Sequence, residues 1–257
     1  MNMPRLPHSD ADAPDAVFHV TARVNWRVFY LEPHSCVCTF YRILRECLGP
    51  FGVDLLAYVL MSNHFHFVMR SPTAALYDKL TTRRLRCRHW RPWPIGHQNR
   101  SVRAQFMRRL MRSTSVTIQK ELGLSGHFWE DSYHARRVLD DTDLVVTMAY
   151  DHMNPVEAAL VRAPEDYGRS SAGWWRDGSD GPVSLLVRPP PFGLAFPELR
   201  ERLLGFQASK GFCDAMAEFE ASGCRLGTWE GLNALKTVLA NRGVCPKRGP
   251  EVRTVST

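Results

Sequence analysis

The chain has 257 residues, of which 44% are hydrophobic, and its 33 Lys and Arg outnumber 26 Asp and Glu to give a formal net charge of +7. This length and apolar content allow one large domain, or a medium domain with an appendage. No apolar run approaches the roughly 18 residues of a membrane span, and residues 1–16 lack a hydrophobic signal core. We therefore expect a disordered leader over 1–16 and a cytoplasmic protein that does not enter a membrane.

The cysteine pattern excludes two common small-domain scaffolds. Seven cysteines are scattered along the chain without a Cys-x-x-Cys pair. This odd, scattered set predicts neither a disulfide framework nor a zinc finger, and it favours reduced thiols.

The first half of the chain predicts three strands and one helix. β-Branched and apolar residues over 17–24 predict a first strand, and apolar residues at helical spacing over 38–48 predict a helix that stops at Gly49-Pro50. Strands over 53–61 and 64–69 follow, joined by the tight connection Ser62-Asn63. The resulting order is strand, helix, strand, strand.

The middle of the chain predicts helices, one loop and one strand. We predict a helix over 76–86, a Trp- and Pro-rich loop over 90–96, a long basic helix over 102–122 and a strand over 136–139. A helix over 142–154 should end before Pro155, which can start another helix.

The character of the sequence changes after Ser171, where the predicted main domain (17–171) ends. A composition rich in Gly, Asp and Pro predicts a linker over 172–195. Apolar residues at helical spacing predict a helical extension over 196–242. We expect a disordered tail over 243–257.

Arginines are concentrated in one segment of the chain. No acidic residue lies between Asp78 and Glu121, and ten arginines lie from Arg83 to Arg112. Clustered arginine neutralises phosphates, so a nucleic acid is the first partner that the sequence suggests; a solvated helix face is the alternative. The predicted DNA contacts are Arg83, Arg84, Arg86, Arg103, Arg108, Arg109, Arg112, Arg136 and Arg137.

The tripeptide His64-Phe65-His66 is the clearest chemical signal. On a strand, side chains alternate between faces, so the two imidazoles share one face and can bind one metal ion. Two histidines supply only part of a coordination sphere. A partly exposed strand face without metal is the competing interpretation.

Tyr150 and Asn154 supply groups that could complete such a site. They lie four residues apart and therefore share one face of the predicted 142–154 helix. If that face packs on the histidine strand, His64, His66 and Asn154 would hold the ion and Tyr150 would be a nucleophile for a phosphate. The competing interpretations are a half-buried aromatic for Tyr150 and a helix N-cap for Asn154. We expect His127, His134 and His152 to contact DNA or pack in the fold.

These motifs together resemble the single-tyrosine HUH (IS200-like) transposases, and most closely the REP-associated tyrosine transposase group. The resemblance covers about residues 17–171, and it rests on Phe18-His19-Val20-Thr21, Ala57 through His66, Gly126-His127-Phe128-Trp129-Glu130, Tyr150, Asn154 through Val161, Pro164-Glu165-Asp166-Tyr167 and Ser170-Ser171. Two positions depart from the family pattern. Ser62 stands where proline is common, and Ser132 replaces a basic residue before Tyr133, where Arg136 and Arg137 are possible substitutes.

The resemblance implies a fold and a reaction. The implied fold is α/β (α+β), a ferredoxin-like domain with a central antiparallel sheet flanked by helices, here with a helical C-terminal extension. The implied enzyme is a metal-dependent transposase that cleaves single-stranded, hairpin-associated DNA through a 5′-phosphotyrosine at Tyr150, with Mg²⁺ or Mn²⁺ held by His64, His66 and Asn154. The implied partner is single-stranded or hairpin DNA of repetitive palindromic elements, bound by a monomer or homodimer in the bacterial cytoplasm, in association with the nucleoid.

Two other functions remain open at this point. A protein of the same descent with a decayed or domesticated site would bind hairpin or repeat DNA without cutting it. A metal-dependent hydrolase would cleave nucleic acid through water, with Tyr150 only structural.

Overall fold

The structure is a computed structural model that describes residues 13–82, 101–178, 181–185, 188, 190–223 and 229–246. Three of the predicted DNA contacts, Arg83, Arg84 and Arg86, lie outside these described residues, as does the predicted loop 90–96. The described helices and strands are β1 (Val17–Arg23), α1 (His34–Phe51), β2 (Asp54–Leu60), β3 (His64–Arg70), α2 (Ala74–Thr82), α3 (Val102–Leu122), β4 (His134–Val138), α4 (Asp141–Glu157), α5 (Ala172–Asp177), α6 (Phe196–Gln207), α7 (Lys210–Ala221) and α8 (Trp229–Asn241).

The four strands form one antiparallel sheet in the order β2-β3-β1-β4. Helix α1 connects β1 to β2, and the segment that contains α2 and α3 connects β3 to β4. This connectivity is that of a ferredoxin-like sheet, and the predicted α/β class with a central antiparallel sheet is confirmed. Each helical connection leads to an edge strand, β2 or β4, so β1 and β3 are the central strands.

The two faces of the sheet differ in chemistry. One face is aromatic: Phe40 of α1 lies 5.3 Å from Phe65 and 6.4 Å from Phe67 between ring centroids. Helix α3 packs against α1 on this side. The alternate residues of the same strands, His64 and His66 among them, project to the opposite face. There they meet α4, which lies across β2 and β3.

Helix α1 is longer than predicted because Pro50 does not end it. The helix continues to Phe51 and ends at Gly52, which adopts a left-handed φ of 57°. A Cβ on Gly52 would lie 2.2 Å from Leu76 Cδ2, so glycine is needed for its conformation and for the close contact with α2.

Helix α4 likewise differs from the prediction at its C-terminal end. It runs without a break to Glu157 with Pro155 inside it, whereas the sequence suggested an end near Asn154. One continuous helix therefore carries both Tyr150 and Asn154.

The C-terminal helices pack on the main domain rather than standing apart from it. Within the predicted linker, α5 buries Trp175, whose indole N–H donates to the Leu56 carbonyl at 2.8 Å. Helix α6 packs along α4, and Arg202 pairs with Asp141 at 2.6 Å. No helix in the described ranges is long and apolar enough to cross a membrane.

Candidate active site

The register of the sheet brings polar residues of two strands together. On the central pair, Arg23 lies opposite His64 and Thr21 lies opposite His66. Directly opposed residues share one face, so His19, Thr21 and Arg23 of β1 project to the same side as the two histidines. The predicted His-x-His face is therefore half of a larger polar surface that α4 covers.

His64 presents one free ring nitrogen to the site. The Asn63 amide donates to the Arg27 carbonyl at 2.9 Å, which leaves its Oδ1 to accept from His64 Nδ1 at 2.7 Å. The proton of His64 therefore lies on Nδ1 and the lone pair on Nε2. That Nε2 is buried and has no hydrogen-bond partner among the described residues. This is the state of a histidine ready to bind a metal.

His66 has the same free nitrogen in a more buried position. Its ring centroid lies 5.2 Å from that of His64, and its Nε2 is also buried without a hydrogen-bond partner in the described part of the chain. Burial and the charge of Arg23 lower the pKa of His64 to about 3, against a smaller raising effect of the Asn154 side chain. Burial also lowers the pKa of His66 well below its ordinary value. Both imidazoles are therefore neutral at neutral pH, as metal ligands must be.

Helix α4 brings Tyr150 and Asn154 to these histidines. The Tyr150 ring lies 6.0 Å from the His66 ring between centroids. The Asn154 amide donates to the carbonyls of Tyr150 at 3.0 Å and Asp151 at 3.3 Å. Its Oδ1 is thereby left as an acceptor beside His64. The two histidines, Asn154 and Tyr150 thus converge, and their functional roles remain predictions.

Tyr150 is more buried than a free nucleophile would be. Its side chain is 0% exposed, and its ring also packs edge-on against His19 at 6.1 Å. A phosphate can reach the hydroxyl only after this packing opens.

Two residues with strong contacts at the site were not predicted from the sequence. His19 Nε2 lies 2.9 Å from Asp151 Oδ1 and 3.1 Å from His66 Nδ1, and all three side chains are buried. Burial raises the pKa of Asp151, with His19 opposing the change. Period-two alternation along β1 puts His19 on one face with Thr21 and Arg23, but nothing in the sequence connects that face to Asp151.

The rim of the site carries a cation and an exposed aromatic residue. Burial and the neighbouring Arg27 lower the pKa of Arg23, while Glu130 and Tyr150 act in the opposite direction, so Arg23 lies within electrostatic reach of the tyrosine. Trp26 is 86% exposed at a left-handed φ of 56°. The backbone carbonyl of its neighbour Arg27 accepts a hydrogen bond from the Asn63 side chain, and the same side chain contacts His64.

The predicted DNA-contacting arginines fall into different environments. Arg103 is buried on α3, with its guanidinium 4.1 Å from the centre of the Phe18 ring, and α3 lies on the face of the sheet opposite to Tyr150. Arg136 pairs with Asp143 at 2.7 Å. The other described arginines of the set are partly or fully exposed: Arg108, Arg109, Arg112 and Arg137.

Comparison with solved structures finds a similar architecture. The protein is similar in structure to a REP-associated tyrosine transposase bound to a REP hairpin, with a TM-score of 0.50, 13% sequence identity, and coverage of 76% of this chain and 98% of that chain. The chain has the fold of a tyrosine transposase. A Deinococcus radiodurans protein described as a "putative transposase" is 15% identical, with a TM-score of 0.33 over 55% of this chain and 91% of that one. No protein-family model and no curated protein sequence matches this chain.

Proposed function

We propose that the protein is a transposase-type DNA strand transferase that cleaves single-stranded DNA through Tyr150. The observation that carries this proposal is the convergence of Tyr150 with His64 and His66, because a tyrosine nucleophile and a pair of neutral imidazoles are the parts that metal-assisted phosphoryl transfer needs. The similar transposase fold, in a protein bound to a REP hairpin, supports hairpin DNA as the substrate.

In the proposed reaction the Tyr150 oxygen attacks a phosphodiester and the bond to the 3′ oxygen breaks. The products are a 5′-phosphotyrosine and a 3′-hydroxyl, with the tyrosine proton released and one proton taken up by the leaving oxygen. Because one phosphodiester replaces another, a 3′-hydroxyl of a second strand can reverse the step and complete strand transfer. Arg23 is the cation in reach of Tyr150 to stabilise the negative charge that develops.

The residues present fit the divalent ion that such chemistry uses. His64 Nε2 and His66 Nε2 are buried without hydrogen-bond partners in the described ranges, and the Asn154 oxygen lies beside His64. These three side chains would hold Mg²⁺ or Mn²⁺, which would supply charge neutralisation at the phosphate. Nitrogen ligands favour Mn²⁺ and cellular abundance favours Mg²⁺.

The surface that we propose for binding the single DNA strand starts at the rim next to His64. Trp26 offers an exposed ring for stacking on an unpaired base, and Arg27 beside it is exposed. The partly or fully exposed arginines keep their proposed role as phosphate contacts: Arg108, Arg109, Arg112 and Arg137. Arg103 is assigned instead to packing against Phe18, and Arg136 to an ion pair with Asp143.

A covalent-adduct assay tests the proposal. A labelled single strand with a hairpin, incubated with Mn²⁺ or Mg²⁺, should give a protein–DNA adduct that survives denaturation. Tyr150→Phe should abolish the adduct while DNA binding persists, and Tyr133→Phe, a second buried tyrosine of the same domain, should leave it intact. An adduct in the Tyr150→Phe variant would refute the nucleophile, and cleavage without any adduct would identify a hydrolase.

A DNA-binding protein without cleavage is the second candidate. The complete burial of Tyr150 favours it, because a nucleophile that never becomes accessible cannot react. Selective hairpin binding with no adduct under either ion would establish this alternative.

A further inference from the structure

His19 of β1 and Asp151 of α4 lie at the Nδ1 side of the His66 ring. His19 Nε2 is 2.9 Å from Asp151 Oδ1 and 3.1 Å from His66 Nδ1. Asp151 Oδ1 is 3.4 Å from His66 Nδ1, which is longer than a good hydrogen bond. All three side chains are at most 1% exposed, so their protons are directed by one another rather than by solvent.

A single proton on His19 Nε2 satisfies both of the short contacts. As a carboxylate Asp151 only accepts hydrogen bonds, and a neutral imidazole has one N–H and one lone pair. When the His19 N–H is shared between Asp151 Oδ1 and His66 Nδ1, the lone pair of His66 lies on Nδ1 and its proton on Nε2. In this arrangement His66 has no lone pair to offer to an ion beside His64.

Ion binding through His66 Nε2 requires the other tautomer, with the proton on Nδ1. That proton faces the His19 N–H and needs a different acceptor. Asp151 has the capacity, because its Oδ2 is buried and has no hydrogen-bond partner among the described residues. A shift of about half an ångström would also bring its Oδ1 within hydrogen-bond range of His66 Nδ1. The ring stays neutral in this exchange, because Nε2 gives up one proton and Nδ1 takes up another.

Each tautomer of His66 carries one unfavourable contact. With the proton on Nε2, a buried N–H has no acceptor in the described part of the chain, which is costly. With the proton on Nδ1, two N–H groups meet across the 3.1 Å between His19 and His66. The balance between the two tautomers therefore depends on His19 and Asp151.

We propose that Asp151 and His19 are positioning residues that set the tautomer of His66, with Asp151 favouring ion binding and His19 opposing it. The proposal rests on the metal site of the proposed function, in which His66 is a ligand. Asp151 accepts the Nδ1 proton of His66, as carboxylates do behind other metal-binding histidines. The His19 N–H competes by donating to the same nitrogen. Helix α4 thus carries this control directly beside Tyr150.

Two substitutions with opposite expected effects test the proposal in Mn²⁺ titrations without DNA. Asp151→Asn keeps the shape but loses one acceptor oxygen, so Mn²⁺ affinity should fall about 10–100-fold. His19→Phe keeps a ring but removes the competing N–H, so this variant should bind Mn²⁺ at least as tightly as the unaltered protein. His152→Gln changes another buried histidine of α4 and should bind Mn²⁺ normally.

A purely structural role for the pair predicts a different result, because both substitutions would then loosen α4 on the sheet. Parallel losses of Mn²⁺ affinity in Asp151→Asn and His19→Phe would overturn the proposal. Normal Mn²⁺ binding by Asp151→Asn would do the same. No ion bound by the unaltered protein would overturn it together with the metal site of the proposed function.

NMR of the unaltered protein covers the case in which those variants do not fold. Proton–nitrogen correlations in isotope-labelled histidine report which ring nitrogen carries the proton, and the His66 signals are those lost in His66→Gln. The proton should lie on Nε2 after dialysis against a chelator and on Nδ1 once the diamagnetic ion Zn²⁺ is bound. A proton on the same nitrogen in both conditions contradicts the proposal. Because no cleavage is measured, this failure is distinct from failure of the adduct assay.

Discussion

The side-chain amide of Asn154 hydrogen-bonds to the carbonyl of Asp151, which is the carbonyl that the following proline leaves without a backbone donor. An α-helix pairs each carbonyl with the N–H four residues later, and residue 155 has no N–H. The Asn154 Nδ2 fills this place at 3.3 Å and also bonds the Tyr150 carbonyl. The helix therefore continues through Pro155, and the Asn154 oxygen is held beside His64.

Substitutions of Asn154 should separate its two roles. Asn154→Ala removes both the donor and the oxygen, so it should cost about 1–3 kcal/mol of unfolding free energy and lower Mn²⁺ affinity. Asn154→Asp loses the donor but keeps an oxygen, so it should lose stability while still binding Mn²⁺. Denaturant unfolding and Mn²⁺ titration measure the two effects. Unchanged Mn²⁺ binding in the alanine variant would exclude Asn154 as a ligand.

Asn63 should control the lone pair of His64. Asn63→Ala removes the acceptor that holds the proton on Nδ1, and we expect Mn²⁺ affinity to fall about 10–100-fold, as it does when other metal-binding histidines lose their hydrogen-bond partner. Asn63→Asp keeps an acceptor for His64 and should retain most of the affinity. Equal losses in both variants would point to the Arg27 contact instead.

The Asp143 carboxylate should anchor the C-terminal helices. Burial alone would raise its pKa, but Arg136 and Lys236 of α8 outweigh this effect and lower it to about 2. A pKa lowered in the folded state contributes stability above the unfolded value near 4 that is lost as the pH falls toward 2. Asp143→Asn should cost about 2 kcal/mol at pH 7 and little near pH 2. Proteolysis should then cut the α7–α8 region faster than in the unaltered protein.

His152 should make folding sensitive to acid. It is fully buried between Ser171 and Gln207, and burial lowers its pKa to about 3. The unfolded chain therefore binds more protons than the folded one between pH 6.5 and 3, so stability should fall as the pH falls through this range. Each such histidine contributes a slope of up to about 1.4 kcal/mol per pH unit. In unfolding curves at pH 7, 5 and 4, His152→Gln should show a shallower decline.

Trp26 should contribute to the binding of single-stranded DNA but not to the stability of the fold. Trp26→Ala removes an exposed ring, and we expect the affinity for single-stranded DNA to fall by about 1–3 kcal/mol. Phe192→Ala, another exposed aromatic with a left-handed φ, is the control and should bind DNA normally. Fluorescence anisotropy with a hairpin strand measures both. Equal affinity of the two variants would remove Trp26 from the binding surface.

The sequence by itself determined the elements and half of the site. Period-two alternation placed His64 and His66 on one face of a strand, and helical spacing placed Tyr150 and Asn154 on one face of a helix. These inferences succeeded because the periodicity of side chains along one element is a local property. The same local reasoning misjudged the proline in α4, since the rescue of the Asp151 carbonyl by a side chain is a compensation that proline propensity does not include.

Only the tertiary structure decided which residues meet. Asp151 contacts His19 across 132 positions of sequence, and Arg23 lies opposite His64 through strand pairing. The basic helix α3 packs behind the aromatic face of the sheet, so the arginines of this helix lie on the side away from Tyr150. The physical reason is that burial and long-range pairing depend on how the sheet and helices assemble, whereas charge and periodicity are fixed along the chain.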